Sequence, residues 1–215
     1  MLSHRWEADE PLYDHITSSV YELPASPGVE KLQNFCSTVK CIGWAWAWSD
    51  TCCIDKTSSA ELLESLASMF AWYSNSALTI VYLSDVRRSS PDQLCKSAWF
   101  TRGWTLQELL ASPVVLFYKN NWRPYVDHEP NDMVMKAVVD ILKRATGVDI
   151  KSLRRFVPGV EHARERLTWA RSRATTREED VGYSLQGIFG VQLPFMYGQK
   201  EKVFGRLVAK ILCLS

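Results

Sequence analysis

The sequence predicts an α/β domain in which a parallel sheet is flanked by helices and followed by a C-terminal helical subdomain. Three observations carry that prediction. Residues 78–83 and 114–118 are short, unbroken apolar runs with the length and the β-branched and aromatic content of fully buried strands. Residues 41–48 form a third apolar run, ending at the polar pair Ser49-Asp50. The segments between these runs carry apolar residues at helical spacing, and strands alternating with helices argue for a parallel sheet rather than a sandwich or a bundle.

The elements follow in order. The first 30 residues are polar and punctuated by Pro11, Pro24 and Pro27, which predicts loop. A short helix is expected over 29–38, then the strand near 44–49. Ser58 and Glu61 have capping-box spacing, and Leu62, Leu63, Leu66, Met69, Phe70 and Tyr73 recur as one helical face. After the strand at 78–83, a loop through Pro91 leads to a helix over about 99–110 and the strand at 114–118. Beyond Tyr118 the pattern turns helical. Asn131 caps a helix that Gly147 ends, Thr175 and Glu178 form a second capping box before a helix closed by Gly190, and Val203, Leu207 and Ile211 mark a final helix. The division drawn is an α/β core over 1–125 and a helical extension over 126–215 packed on it.

Composition narrows the function classes. With 215 residues the chain can bury roughly 70% of its unfolded surface, so it needs no disulfide or metal staple. The net charge is +1 and no basic stripe exists, which excludes ordinary nucleic-acid binding. Arg164, Arg166, Arg171, Arg173 and Arg177 alternate with acids and read as a solvated helix face. The six cysteines show no CxxC pair and no metal-ligand spacing, so no metal is expected and a reducing compartment fits. No signal peptide and no membrane-spanning run is present, which points to a cytoplasmic protein. No phosphate-binding glycine loop occurs, which argues against NTPase chemistry.

Several blocks stand out in order: Ser3-His4-Arg5-Trp6, Trp48-Ser49-Asp50-Thr51-Cys52-Cys53-Ile54-Asp55, the run from Ser97 to Leu109, Leu167-Thr168-Trp169-Ala170 with the segment from Thr175 to Asp180, and Met196-Tyr197-Gly198. Together they resemble the HET domain, the heterokaryon-incompatibility module of filamentous fungi. The resemblance implies a signalling effector of non-self recognition that triggers cell death through homotypic or heterotypic contacts with other signalling proteins. Family members usually carry a strand ending at the serine of the first block. Only Leu2 is left to it here, so a truncated or degenerate copy is expected. HET domains in turn resemble TIR domains, flavodoxin-like modules of innate immunity, some of which cleave NAD with a helix-borne glutamate. That second resemblance implies a NAD nucleosidase with Glu108 as its catalytic residue, NAD as substrate and no resident cofactor.

The residues have readings of their own. Leu106 and Leu110 lie about 160° around the helix from Glu108, so Glu108 is expected to face away from the core with Trp104 beside it. A carboxylate there suits an oxocarbenium-like state. In parallel sheets ligands gather at the carboxyl ends of strands, which selects Asp50, Asp55 and Ser84. Asp50 fits ribose hydroxyls or a metal as well as it fits turn capping, whereas for Asp55 turn capping is the better reading. Ser3, His4 and Trp6 are expected at the same mouth, with His4 as a phosphate or proton partner, and Arg102 is a phosphate partner. A cysteine-hydrolase alternative would use Cys52 or Cys53 with His4, although nothing in the sequence signals a lowered thiol pKa.

Overall fold

The computed structural model describes residues 1–200 and 202–214. Three parallel strands, β1 (Leu2–His4), β2 (Thr79–Leu83) and β3 (Val115–Lys119), form one sheet in the order β1-β2-β3. Leu2 pairs with Ile80 and His4 with Tyr82, while Thr79 pairs with Val115 and Leu83 with Lys119. Leu2, expected to be all that remained of a first strand, is thus joined by Ser3 and His4. The outer side of β1 is occupied as well. Leu2 N–H donates to the Trp48 carbonyl at 2.9 Å, and the Tyr73 hydroxyl donates to the Leu2 carbonyl at 2.8 Å.

Alternation along the strands sorts the two faces. Leu2, Ile80 and Tyr118 pack with Leu32, Phe35 and Val39 of α1 (Pro27–Cys41). Val81, Leu83, Val115 and Phe117 face the larger core. That core holds α3 (Pro91–Cys95), α4 (Trp104–Ala111) and the helices that follow β3. Those are α5 (Lys136–Thr146), α6 (Ile150–Arg154), α7 (Ala163–Ala170), α8 (Asp180–Tyr183), α9 (Gln186–Phe189) and α10 (Lys202–Leu214). Ile188, Leu207 and Ile211 belong to the same buried cluster as Val81 and Leu106. The helical half therefore shares one core with the sheet. Among the described residues no helix is long and apolar enough to cross a membrane.

Several elements differ from expectation. The run at 44–48 is not a strand. Gly43 turns the chain with φ +91°, Trp44 and Trp46 are exposed (Trp46 at 92%), and Trp48 meets the sheet only through the single bond to Leu2. The helix from Ser59 to Ser74, α2, starts as the spacing requires, with the Ser58 hydroxyl accepting from Glu61 N–H. Glu61 closes the box differently, accepting from Asp55 N–H at 2.9 Å. The segment expected at 99–110 is two pieces, a 3-10 turn at Ala98–Thr101 and then α4. Thr175 and Glu178 open no continuous helix. The chain forms the single turns α8 and α9, and Gly190 ends α9 with φ +62°. Arg166 and Arg173 are not on a solvated face. Arg166 is buried and donates to the carbonyls of Val157, Gly159 and Ile188, and Arg173 donates to those of Arg102 and Trp169.

Candidate functional site

A cavity of about 320 Å³ opens beside the carboxyl end of β1. The apolar face of α2 supplies Leu62, Leu66 and Met69, the chain after β1 supplies Trp6, and α4 supplies Trp104, Thr105 and Glu108. The C-terminal helical layer closes the far side with Thr176, Arg177, Asp180 and Tyr197.

Glu108, only 5% exposed, is the most buried titratable residue of the cavity wall. It lies opposite Leu106 and Leu110 around the helix axis, as the spacing requires. That face, however, is covered: every residue of α4 from Thr105 to Leu110 is buried. Ser3 Oγ–H donates to Glu108 Oε2, and the fully buried Trp99 donates its indole N–H to Ser3 Oγ at 3.0 Å. Burial, and then the charge of Asp50, push the Glu108 carboxyl up to about 8, against the pull of Ser3, Arg102 and Arg173. At neutral pH it is mostly an acid.

Asp50 is the opposite case. Burial alone would raise it, but His4, Lys56 and Trp6 outweigh burial and hold it below its ordinary range. His4 Nε2 lies 3.3 Å from Asp50 Oδ1, and the Trp6 indole N–H donates to Oδ2 at 2.9 Å. Of the three carboxyl groups in the cavity wall, Glu108 and Asp50 thus stand in different protonation states, one neutral and one ionised, which is the arrangement acid–base and glycosidic chemistry uses. Arg173 lies behind Glu108. Burial lowers its guanidinium to about 10, and its Nη2 has no partner among the described residues.

The other expected residues divide. His4, Trp6, Asp50, Arg102, Trp104 and Glu108 all line the cavity. Ser3 does not reach the lumen; it is buried and acts through Glu108. Asp55 lies outside the cavity wall, where its carboxylate accepts from Thr57 N–H and Oγ1–H in a turn. Ser84 also lies outside, just past β2, where the chain turns away and Asp85 caps the next segment by accepting from Ser97 and Ala98. The cysteine reading loses its geometry, since neither Cys52 nor Cys53 lines the cavity. The thiols are nevertheless perturbed: a hydrogen bond from Cys52 lowers Cys53 to about 7.

Asp180, Tyr197, Arg177, Thr176 and Lys56 were given no site role from sequence. Trp104 donates its indole N–H to Asp180 Oδ2 at 3.3 Å, and the Tyr197 hydroxyl donates to Oδ1 at 3.0 Å. Burial leaves Asp180 raised despite both bonds. The one signal in the sequence was that Asp180 and Tyr197 sit inside the downstream resemblance blocks.

A parallel α/β domain with a carboxyl-lined cavity beside a strand end is therefore the class of molecule. The family model described as "Heterokaryon incompatibility protein (HET)" matches residues 1–93. The chain is 37% identical over 223 residues to the vegetative incompatibility protein HET-E-1 of Podospora anserina, an alignment covering 98% of this chain and 16% of that protein. The chain belongs to the heterokaryon incompatibility (HET) family. It spans about a sixth of the length of that relative. No solved structure matches.

Proposed function

We propose that this chain is the effector of a fungal incompatibility response and triggers cell death by hydrolysing NAD, in the manner of a flavodoxin-like TIR domain. The observation that carries the reading is the pair of carboxyls, Glu108 neutral and Asp50 ionised, converging on one aromatic-walled cavity. Glu108 offers its acid O–H to a ribose hydroxyl and is held in place by Ser3. Asp50 supplies the negative charge that faces the developing ribosyl cation. The C1′–N bond breaks with both electrons leaving on nicotinamide, which departs neutral. Water adds to C1′, and its proton passes to Asp50 and on to solvent. The charge that the sequence reading assigned to Glu108 thus falls on Asp50.

A second reading is recruitment through contacts with like or unlike signalling proteins. Trp46 at 92% exposure and Trp44 at 51%, beside a separate apolar cavity of about 630 Å³, favour it. The deciding experiment is NAD consumption by the chain clustered on a multivalent scaffold. Wild type should consume NAD, and Asp50→Asn should lose on the order of 100- to 1000-fold. NAD left intact by wild type, or consumed equally by Asp50→Asn, overturns the hydrolase reading. Killing that persists without NAD loss supports recruitment.

A further inference from the structure

Three basic side chains stand in the cavity wall beside the carboxyl groups. Lys56 comes from the turn before α2, Arg102 from the turn before α4, and Arg177 from the segment before α8. They are far apart in sequence, and the fold brings all three to one cavity of about 320 Å³. Among the described residues none of them is in an ion pair with a carboxylate.

Two of the three are held on aromatic rings. Lys56 Nζ lies 4.3 Å from the centroid of Trp6, and the Arg177 guanidinium lies 4.5 Å from that of Tyr197. Cation–π contacts of this kind position a cation while leaving its hydrogen-bond donors free for a ligand. Lys56 spends one donor on the Thr51 carbonyl at 2.8 Å. The carboxyl groups of the wall itself are Asp50, Glu108 and Asp180, and Glu10 and Glu179 act on Lys56 and Arg177 from outside it. Below these groups the wall is apolar, with Ile54, Leu62, Leu66 and Met69.

We propose that Lys56, Arg102 and Arg177 form a clamp for a diphosphate group, so that the cavity selects a nucleoside diphosphate or its ester over an uncharged nucleoside. This rests on the Glu108 cavity being the ligand site, but not on any bond being cleaved there. Arginine forks match phosphate oxygens in pairs, and a lysine adds a point charge. The apolar and indole surfaces of the wall take the flat ring of the same ligand. The clamp draws on both halves of the chain, which gives the C-terminal helical layer a direct part in ligand choice.

The experiment is calorimetric titration of the whole chain with ADP, adenosine and inorganic pyrophosphate. ADP should bind about tenfold or more tightly than adenosine, and more weakly as salt rises. Pyrophosphate should compete with ADP, which separates recognition of the diphosphate from recognition of the ring. Arg177→Gln and Lys56→Gln should each bring ADP toward the adenosine affinity, and Arg177→Lys should lie between. Arg177 is exposed, so Arg177→Gln should melt as wild type does; Lys56→Gln also gives up the Thr51 bond and the Trp6 contact, and melting curves separate that loss from the change in binding. Asp50→Asn should keep ADP binding while losing any NAD hydrolysis, so the clamp and the hydrolase reading fail separately. Equal affinity for ADP and adenosine, no binding of ADP, or ADP binding unchanged by both glutamine variants overturns the proposal.

Discussion

Replacing Glu108 by glutamine should stabilise the protein, and increasingly so as pH rises. The carboxyl is 5% exposed, and burial followed by the Asp50 charge raises it from 4.5 to about 8. In the unfolded chain it ionises near its ordinary value. Between about pH 4.5 and 8 the unfolded state therefore loses a proton that the folded state keeps. A raised folded pKa contributes stability that is complete below the unfolded value and is lost as pH climbs to the folded one. The loss is about 1.4 kcal/mol per pH unit across that window, or on the order of 4–5 kcal/mol by pH 8. Glutamine has nearly the same shape, still accepts from Ser3, and never ionises. Urea unfolding of wild type and Glu108→Gln at half-unit steps from pH 5 to 8.5 measures the difference directly. It should be near zero at pH 5 and widen steadily toward pH 8. A difference that stays constant across the series would refute the buried, neutral Glu108, along with the division of labour built on it.

Three further outcomes test other parts of the structure. Asp132 is 1% exposed and raised to about 6 by burial, with Oδ2 accepting from Phe117 N–H at 2.7 Å and Oδ1 without a partner among the described residues. Asp132→Asn should match wild type near pH 4 and melt higher above pH 6, as seen by calorimetry. Arg166→Met should destabilise by about 3–5 kcal/mol in denaturant titration, because it strips donors from the carbonyls of Val157, Gly159 and Ile188. Cys53, lowered to about 7 and exposed, should alkylate several-fold faster at pH 7 than Cys41 or Cys213, read by peptide mass spectrometry after brief iodoacetamide treatment.

What could be read from the sequence was set by how local each constraint is. Strands β2 and β3 were legible because a fully buried parallel strand must be apolar at every position, and residues 78–83 and 114–118 are. The run at 44–48 satisfies the same rule and is no strand. Its tryptophans serve contacts of their own, Trp48 against Trp72 and Tyr73 with centroids 5.4 and 6.2 Å apart, and only three residues of β1 are available to pair with. Periodicity reports burial without saying what does the burying. The arginines misled for the complementary reason. Charges interleaved along a segment look solvated, yet Arg166 and Arg173 serve carbonyl groups that only the folded chain brings near. On the site itself, Trp104 and Glu108 were legible through the face of one helix, whereas Asp50 was selected for the end of a strand that does not form, and Ser84, just past a real one, lies outside the cavity wall. Asp180 and Tyr197 arrive from a layer whose position over α2 and α4 no local pattern encodes.

Glu108 marks the limit of that legibility. Its angular separation from Leu106 and Leu110 was readable, but the inference to solvent was not, since a helix can be covered on every face. Here α2, β1 and the segment carrying Arg173 cover the side that α4 would otherwise turn to water. Burying a carboxyl there costs free energy that a leucine would not, and the surroundings recover only part of it. Ser3 provides a hydrogen bond, and Arg102 and Arg173 provide charge, yet the carboxyl still rises to about 8. A site that needed only to hold α2 against α4 would be better served by an apolar side chain. Nor does the group serve as an ion-pair anchor, because the charge that acts on it most strongly, that of Asp50, has the same sign. The stability forgone is localised on one residue at the wall of a cavity, opposite an ionised carboxylate and within reach of basic side chains. That is the pattern left when a position is kept for chemistry rather than for folding.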